Sequence, residues 1–191
     1  MPGPVLAVTG GPILVLGDSL SAAHGFDLAQ GWVQGLRERL ASHDEDREVI
    51  NASISGETTR GGLARLPELL ARHRPAIVIL ELGGNDGLRG TPLAAMRANL
   101  GRLVELAQAA NAQVLLLGMR LPPNYGPVYT KKFHNVYADL ARDYELAWLP
   151  FFLAGVATRP AWMQTDGIHP TAAAQPHLLE NVWPVLKPIL Q

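Results

Sequence analysis

The sequence predicts an α/β protein in which helices cover both faces of a parallel β-sheet. Short apolar runs of strand length alternate with segments whose apolar residues recur every three or four positions. Polar, glycine-rich clusters directly follow the first three predicted strands. A chain of 191 residues is long enough for one core and short for two. We therefore expect a single domain over residues 13–191.

Five apolar runs mark the strands, and the segments between them mark the helices. The predicted strands are residues 13–16, 48–51, 76–82, 113–118 and 147–150. Three helical stripes follow from apolar spacing: Trp32, Val33, Leu36 and Leu40; Leu93, Met96, Leu100, Leu103 and Ala107; Phe133, Val136, Tyr137 and Leu140.

Prolines divide two further predicted helices. A helix over about residues 61–73 is expected to restart at Pro67, because proline is tolerated in a first turn but interrupts an interior one. The last helix, over about residues 176–190, is expected to be interrupted in the same way at Pro184 and Pro188.

The composition excludes several classes of protein. With 48% hydrophobic residues and a net charge of -1, the chain is not disordered and has no positive field for nucleic acid. Its longest apolar runs are strand-sized, far below the roughly 20 residues that cross a bilayer, so no membrane span is expected. Cysteine is absent, which rules out disulfides, thiolate metal sites and cysteine nucleophiles.

Residues 1–12 do not form a legible signal peptide, because the first lysine or arginine of the chain is Arg37. We expect this segment to be a leader or tail, or a processed remnant.

The segment Gly-Asp-Ser-Leu-Ser, residues 17–21, admits two interpretations. Asp18 or Ser19 could cap the next helix by accepting an amide hydrogen. Alternatively Ser19 is a nucleophile, which requires a base and a third group that holds the base. The segment Thr-Asp-Gly-Ile-His-Pro supplies Asp166 and His169 in a loop, where Asp166 could orient the imidazole and His169 could serve as general base and then acid.

The other two clusters supply candidate donors for an oxyanion. Gly56 can present its backbone N–H without an obstructing side chain, and Asn85 offers a side-chain amide. Each alone is ordinary turn chemistry. In an open parallel sheet, however, the loops at the carboxyl ends of the strands converge on one crevice, so nucleophile, base, acid and donors favour a shared catalytic site.

These residues resemble the four blocks of the SGNH (GDSL-type) hydrolases. The blocks are Ser19 in GDSLS, Gly56 in SISGET, Asn85 in GGND and His169 in DGIHP. The longer segments NASISGETTRGGLARLP, ELGGNDGLRG, RLPPNYG and WMQTDGIHP are similar to one bacterial branch, the multifunctional thioesterase I, arylesterase and lysophospholipase enzymes. The resemblance spans nearly the whole chain from Ile13.

The resemblance implies a role for each matching residue. Ser19 is the implied nucleophile, Asp166 and His169 complete the triad, and the Ser19 N–H, the Gly56 N–H and the Asn85 side chain form the oxyanion hole. It also implies a flavodoxin-like three-layer sandwich with strand order 2-1-3-4-5 and a serine esterase or thioesterase that works through an acyl-enzyme. Aryl esters, acyl-CoA thioesters and lysophospholipids are the implied substrates, with neither metal nor organic cofactor and a periplasmic or secreted location.

Residues 119–129 follow the fourth predicted strand and are the candidate selectors of substrate. Leu121, Pro122, Pro123 and Tyr125 could line an apolar acyl groove, or the prolines could only stiffen the connection. Of the remaining histidines, most (His24, His43, His73 and His134) are expected on solvated surfaces or at helix ends, and His177 is given no catalytic role.

Two rival functions stay open at this point. Asp18, Asp86, Asp166 and His169 could hold a metal ion for phosphoester hydrolysis. Alternatively the crevice could bind a lipid or acyl group without catalysis. The oligomeric state cannot be read from the sequence.

Overall fold

A five-stranded, fully parallel sheet in the order β2-β1-β3-β4-β5 organises the chain. The computed structural model describes residues 10–43 and 45–191, so most of the predicted leader, residues 1–9, lies outside the described residues. The strands are β1 (Ile13–Gly17), β2 (Val49–Asn51), β3 (Ile77–Glu81), β4 (Gln113–Leu117) and β5 (Ala147–Leu149). The helices are α1 (Trp32–Ala41), α2 (Thr59–His73), α3 (Gly84–Leu88), α4 (Leu93–Ala109), α5 (Pro127–Asp143) and α6 (Gln175–Leu186).

Helices on both faces bury the sheet. On one face α1 packs against α6, and on the other α4 packs between α2 and α5. All residues of β1 and β3 are buried, as the continuous apolar runs of central parallel strands require. The predicted fold class and the strand order implied by the resemblance are both confirmed.

The prediction that prolines interrupt two helices is wrong at two of the three positions. Helix α2 continues through Pro67 and α6 continues through Pro184, while at Pro188 the chain passes into a short 3₁₀ turn. Both tolerated prolines are exposed, so water can reach the side of the helix on which a backbone hydrogen bond is missing. Buried neighbours such as Leu66 and Leu70 in α2 hold the helix against the sheet.

The strand order defines one edge of the sheet as the place for a site. Strand β2 lies on one side of β1, and β3 lies on the other side. The direction in which successive strands are added to the sheet therefore reverses between β1 and β3. Loops that leave the carboxyl ends of these strands separate there and open a crevice. None of the helices in the described ranges is long and apolar enough to cross a membrane.

Candidate active site

Ser19 stands two residues beyond β1, where a tight turn begins. Asp18 shapes this turn: its Oδ1 accepts from the Leu20 N–H at 3.0 Å, and its carbonyl accepts from the Ala22 N–H at 3.0 Å. The Ser19 hydroxyl has a different partner, the Nε2 atom of His169 at 2.8 Å. The helix-capping interpretation is wrong, because Asp18 stabilises a turn and the next helical element begins only at Leu28, with Asp27 as its cap. The hydrogen bond between Ser19 and His169 favours the nucleophile interpretation.

A short loop after β5 presents His169 to Ser19 across a separation of 150 residues. An antiparallel bridge between Met163 and Pro170 closes the loop, and the Gln164 N–H donates to the His169 carbonyl at 2.8 Å. Gly167 makes the tight turn inside it with a φ of +68°, a backbone conformation that glycine adopts without a steric penalty. The loop thus fixes the direction of the imidazole before any substrate arrives.

Asp166 holds the other side of the His169 ring. Its Oδ2 lies 2.6 Å from Nδ1 of His169, and its Oδ1 accepts from the backbone N–H groups of Ile168 and His169 at 2.9 and 3.0 Å. These hydrogen bonds, led by the one from the His169 side chain, hold the pKa of Asp166 well below its ordinary value. An ionised carboxylate at Nδ1 directs the Nε2 lone pair toward Ser19, the tautomer that a general base needs.

The predicted oxyanion donors differ in whether their N–H groups already have acceptors. The backbone N–H groups of Ser19 and Gly56 have no acceptor among residues 10–43 and 45–191. Asn85 Nδ2 donates to Asp18 Oδ2 and to the Glu57 carbonyl, each at 3.0 Å. An oxyanion at Asn85 would therefore have to share or replace one of these two hydrogen bonds.

A glycine pair at the end of β3 allows α3 to start within reach of Asp18. Gly83 has a φ of +110°, and a Cβ atom there would lie 2.3 Å from the hydroxyl oxygen of Tyr137. That hydroxyl donates to the Leu82 carbonyl at 3.0 Å. Any side chain at position 83 would displace Tyr137 or the turn, and with it Asn85.

A buried carboxyl, Glu81, lies beneath the nucleophile turn and was not identified from the sequence. Its Oε2 accepts from the Ser21 hydroxyl at 2.7 Å and from the Asp18 N–H at 3.2 Å. Burial, and next the repulsion from Asp18, raise the pKa of Glu81 well above its ordinary value. Burial also raises the pKa of Asp18, to about 6, against the opposing effect of its hydrogen bonds. Both carboxyl groups are therefore harder to ionise than exposed carboxyl groups.

A cavity of about 650 Å³ opens beside the Ser19–His169 pair. Its walls are mostly apolar and include Leu121, Pro122 and Pro123, which are candidate substrate-selecting residues, together with Leu153 and Met163. Tyr125 is not among the lining residues; its hydroxyl donates to the carbonyl of Leu88, which does line the cavity. The direct contribution of Tyr125 to the groove stays a prediction.

His24 is the residue that sequence reasoning underestimated. Its side chain is exposed, as expected, but its ring lies 4.3 Å from that of His169, centroid to centroid, at an interplanar angle of 36°. The buried Ala23 before it has a φ of +54° and Gly25 after it a φ of +86°, while Gln164 Nε2 donates to the His24 carbonyl at 2.8 Å. His24 is close to Ser19 in the chain, and its N–H donates to the Ser19 carbonyl at 3.3 Å, but no local sequence pattern indicates that its ring meets His169.

The remaining histidines lie away from the triad atoms. His43 is exposed just beyond α1, His73 is the last residue of α2, and His134 is half-buried in α5. His177 stacks on Trp162 with ring centroids 3.8 Å apart.

The four residues of the rival metal site do not come together. Among residues 10–43 and 45–191, the one group of three or more potential ligands within mutual reach is His24, Asp166 and His169. Asp86 instead accepts from the backbone N–H and the hydroxyl of Thr59, at 2.8 and 2.7 Å. The geometry therefore does not favour a metal centre built on Asp18 and Asp86.

Comparison with known proteins decides the family. The family model for the GDSL-like lipase/acylhydrolase family matches residues 15–175. This chain belongs to the GDSL-like lipase/acylhydrolase family. It is 57% identical over 178 residues to "Esterase TesA" of Pseudomonas aeruginosa, covering 93% of this chain and 89% of that protein. It is 43% identical over 178 residues to "Thioesterase 1/protease 1/lysophospholipase L1" of Escherichia coli strain K12, covering 93% and 84%.

A solved esterase structure has the same fold. The esterase EstA from Pseudoalteromonas sp., solved in a form inhibited by monoethylphosphonate, superposes with a TM-score of 0.90 at 42% identity, covering 94% of this chain and 98% of that one. The resemblance that the sequence motifs indicated is confirmed. The chain is an acyl hydrolase of this family, and its crevice lies at the sheet edge where the family motifs meet.

Proposed function

We propose that this enzyme hydrolyses carboxylic esters and thioesters through an acyl-enzyme on Ser19, with His169 as general base and acid and Asp166 as the group that orients it. The observation that carries the proposal is the continuous chain of hydrogen bonds from Ser19 Oγ to His169 Nε2, at 2.8 Å, and from His169 Nδ1 to Asp166, at 2.6 Å. This chain ends at the wall of a mostly apolar cavity that can receive an acyl group.

The geometry supports a two-step reaction. In the first step Ser19 Oγ attacks the acyl carbon while His169 takes the hydroxyl proton and returns it to the leaving alcohol or thiol. In the second step a water molecule attacks the acyl-enzyme, and His169 transfers its proton in the same way, which releases the acid and restores Ser19. Asp166, held ionised by its hydrogen bonds, stabilises the imidazolium that forms in each step.

The oxyanion of each tetrahedral intermediate requires donors, and three are proposed. The N–H groups of Ser19 and Gly56 have no acceptor in the part of the chain that the structure describes, so they are free to donate. Asn85 is held beside Asp18 by its own hydrogen bonds and contributes when one of them is shared. Each such donor typically accounts for a factor of roughly 10²–10³ in turnover.

We propose aryl esters, acyl-CoA thioesters and lysophospholipids as the substrates. One serine, base and oxyanion hole can attack each of these bonds, so the pocket walls rather than the triad select among them. The names of the relatives in Pseudomonas aeruginosa and Escherichia coli support ester, thioester and lysophospholipid hydrolysis, and the mostly apolar cavity supports an acyl chain.

Labelling with a fluorophosphonate tests the assignment of the nucleophile. We expect one label per chain on Ser19, with loss of activity on a short-chain aryl ester in proportion, and no labelling of Ser19→Ala. Ser53→Ala is the matched control, because its hydroxyl is buried at the same sheet edge but has no hydrogen-bond partner within the described ranges. Full activity of Ser19→Ala would refute the proposal, and so would inhibition by a chelator with Ser19 unlabelled.

We also propose that the enzyme works in the periplasm or is secreted. The support is the resemblance to an exported bacterial branch. Fractionation of a bacterial cell that expresses the native gene tests this, because activity confined to the cytoplasm would contradict it.

A further inference from the structure

Exposed apolar side chains gather at one edge of the molecule. Among residues 10–43 and 45–191, the large hydrophobic side chains that are exposed are Leu28, Ile54, Tyr125, Val128 and Ile168. Leu28 follows β1, Ile54 follows β2, Tyr125 and Val128 follow β4, and Ile168 follows β5. All five therefore lie at the carboxyl edge of the sheet, which also carries the mouth of the catalytic cavity.

These side chains are exposed enough to contact a surface beyond the molecule. Val128 is 68% exposed, Leu28 63% and Ile54 48%, although burial of such side chains is strongly favoured in water. Ile54 and Ile168 lie in loops, Leu28 and Tyr125 in short 3₁₀ turns, and Val128 at the start of α5. Because they follow four of the five strands, they are spread along this edge and do not form one groove; we call these five side chains the apolar ring. At about 4.8 Å per strand the ring is roughly 20 Å wide. An arrangement of this kind fits a flat apolar layer better than a single peptide or ligand.

Positive charge accompanies the apolar ring, although the whole chain has a net charge of -1. Exposed arginines occur soon after four of the strands: Arg60 after β2, Arg89 after β3, Arg120 after β4 and Arg159 after β5. Ion pairs within the described ranges use other arginines. Arg120 and Arg159 lie over the aromatic rings of Phe151 and Trp162, at 5.3 and 4.2 Å, which keeps their charge unneutralised.

The acidic groups at the same edge are mostly engaged. Asp18 and Asp86 are buried, Glu57 pairs with Arg65 at 2.8 Å, and Asp166 pairs with His169. The exposed Asp27 accepts from the Ala29 N–H in its own turn. The edge therefore combines protruding apolar groups with a positive field, the two features that attract a peripheral protein to anionic lipid.

We propose that this edge, formed by the apolar ring and the four arginines, docks the enzyme on an anionic lipid surface with the catalytic cavity facing the lipid. The apolar side chains enter the boundary between headgroups and acyl chains, and the arginines contact the phosphates. A lipid ester in that surface would then move a short distance out of the lipid layer to reach Ser19, along the cavity wall that Ile168 and Leu121 form. Binding in this proposal does not depend on which bond the enzyme cleaves.

Co-sedimentation with extruded vesicles tests the proposal. We expect the native protein to bind vesicles of phosphatidylglycerol and phosphatidylcholine, and to bind pure phosphatidylcholine much less. The triple variant Leu28→Ser, Ile54→Ser and Val128→Ser is expected to lose affinity roughly tenfold or more. None of these residues belongs to the proposed catalytic machinery, so hydrolysis of a soluble short-chain aryl ester should be unchanged, which also shows that the variant folds.

Two double variants that remove the same charge distinguish the effect of the arginines at this edge on vesicle binding from the effect of the net charge of the protein. Arg60→Gln with Arg159→Gln is expected to weaken binding to the anionic vesicles by an order of magnitude or more. Arg72→Gln with Arg102→Gln removes the same charge from exposed positions on α2 and α4 and is expected to leave binding nearly unchanged. All of these proteins carry the same residues 1–9, so a contribution from that segment would be equal in each.

Three results would overturn the proposal. The first is the absence of vesicle binding by the native protein, and the second is equal binding by the native protein and the triple variant. The third is a stable dimer in solution that the triple variant dissociates, without vesicle binding, because the ring would then be an interface between two copies. None of these results bears on the fluorophosphonate labelling of Ser19, so failure of the docking proposal and failure of the proposed reaction are distinguishable.

Discussion

Replacing Glu81 with glutamine tests whether the carboxyl beneath the nucleophile turn keeps its proton in the folded protein. Glu81 is fully buried, its Oε2 accepts hydrogen bonds from Ser21 and Asp18, and its Oε1 is buried with no partner among residues 10–43 and 45–191. Glutamine has nearly the same shape, and its carbonyl oxygen can accept both hydrogen bonds. It replaces the ionisable carboxyl with an amide, whose NH₂ group stands where Oε1 has no partner; the cost of burying that NH₂ is independent of pH.

The size of the effect follows from the raised pKa of Glu81. Above its ordinary pKa of 4.5 the unfolded chain releases this proton, while the folded protein retains it. The free energy of unfolding of the native protein therefore falls by about 1.4 kcal/mol per pH unit from 4.5 up to the folded-state pKa of Glu81, and then becomes constant. Asp18 adds a similar loss between its ordinary value of 3.8 and about 6, but it is present in both proteins. The stability of Glu81→Gln relative to the native protein should thus increase by about 1.4 kcal/mol per pH unit.

Urea unfolding, followed by the fluorescence of the four tryptophans, measures this difference. We would collect curves at intervals of about one pH unit between about pH 5 and 8, at constant ionic strength. Glu68→Gln is the matched control, because it makes the same chemical change at an exposed position of α2. A difference between Glu81→Gln and the native protein that is independent of pH would refute the reasoning, since Glu81 would then be ionised in the fold.

Three further predictions concern the active site. Asn85→Ala should lower turnover by roughly 10²–10³ with little change in KM, and unchanged turnover would remove Asn85 from the oxyanion hole. His24→Ala should slow fluorophosphonate labelling of Ser19 severalfold while His24→Phe, which keeps a ring against His169, should restore the rate; equal rates would show that the stack does not position the base. Leu153→Trp should raise KM for long acyl chains and leave a short ester unaffected, because Leu153 lines the cavity, and a uniform loss would contradict this.

The sequence by itself determined the order and type of the elements that form the sheet and the larger helices. The apolar runs are continuous in β1 and β3 because helices cover both faces of a central parallel strand. The polar clusters after these strands located the crevice, since carboxyl ends of parallel strands meet at one edge. Two features of the elements were not predicted. Helix α2 runs through Pro67 because that proline faces solvent, and the short helix α3 has too few residues for a periodic pattern.

Tertiary structure decided which side chains share the site. A hydrogen bond such as that between Ser19 and His169 depends on strand order and loop direction to within tenths of an ångström, and motif spacing does not specify either. The same holds for the stack of His24 on His169 and for the burial of Glu81 beneath the turn, because neither has a local pattern in the chain. The periodicity of apolar residues depends on neighbours along the sequence. The distances between site residues, and the local dielectric and charge that shift their pKa values, depend on neighbours in space.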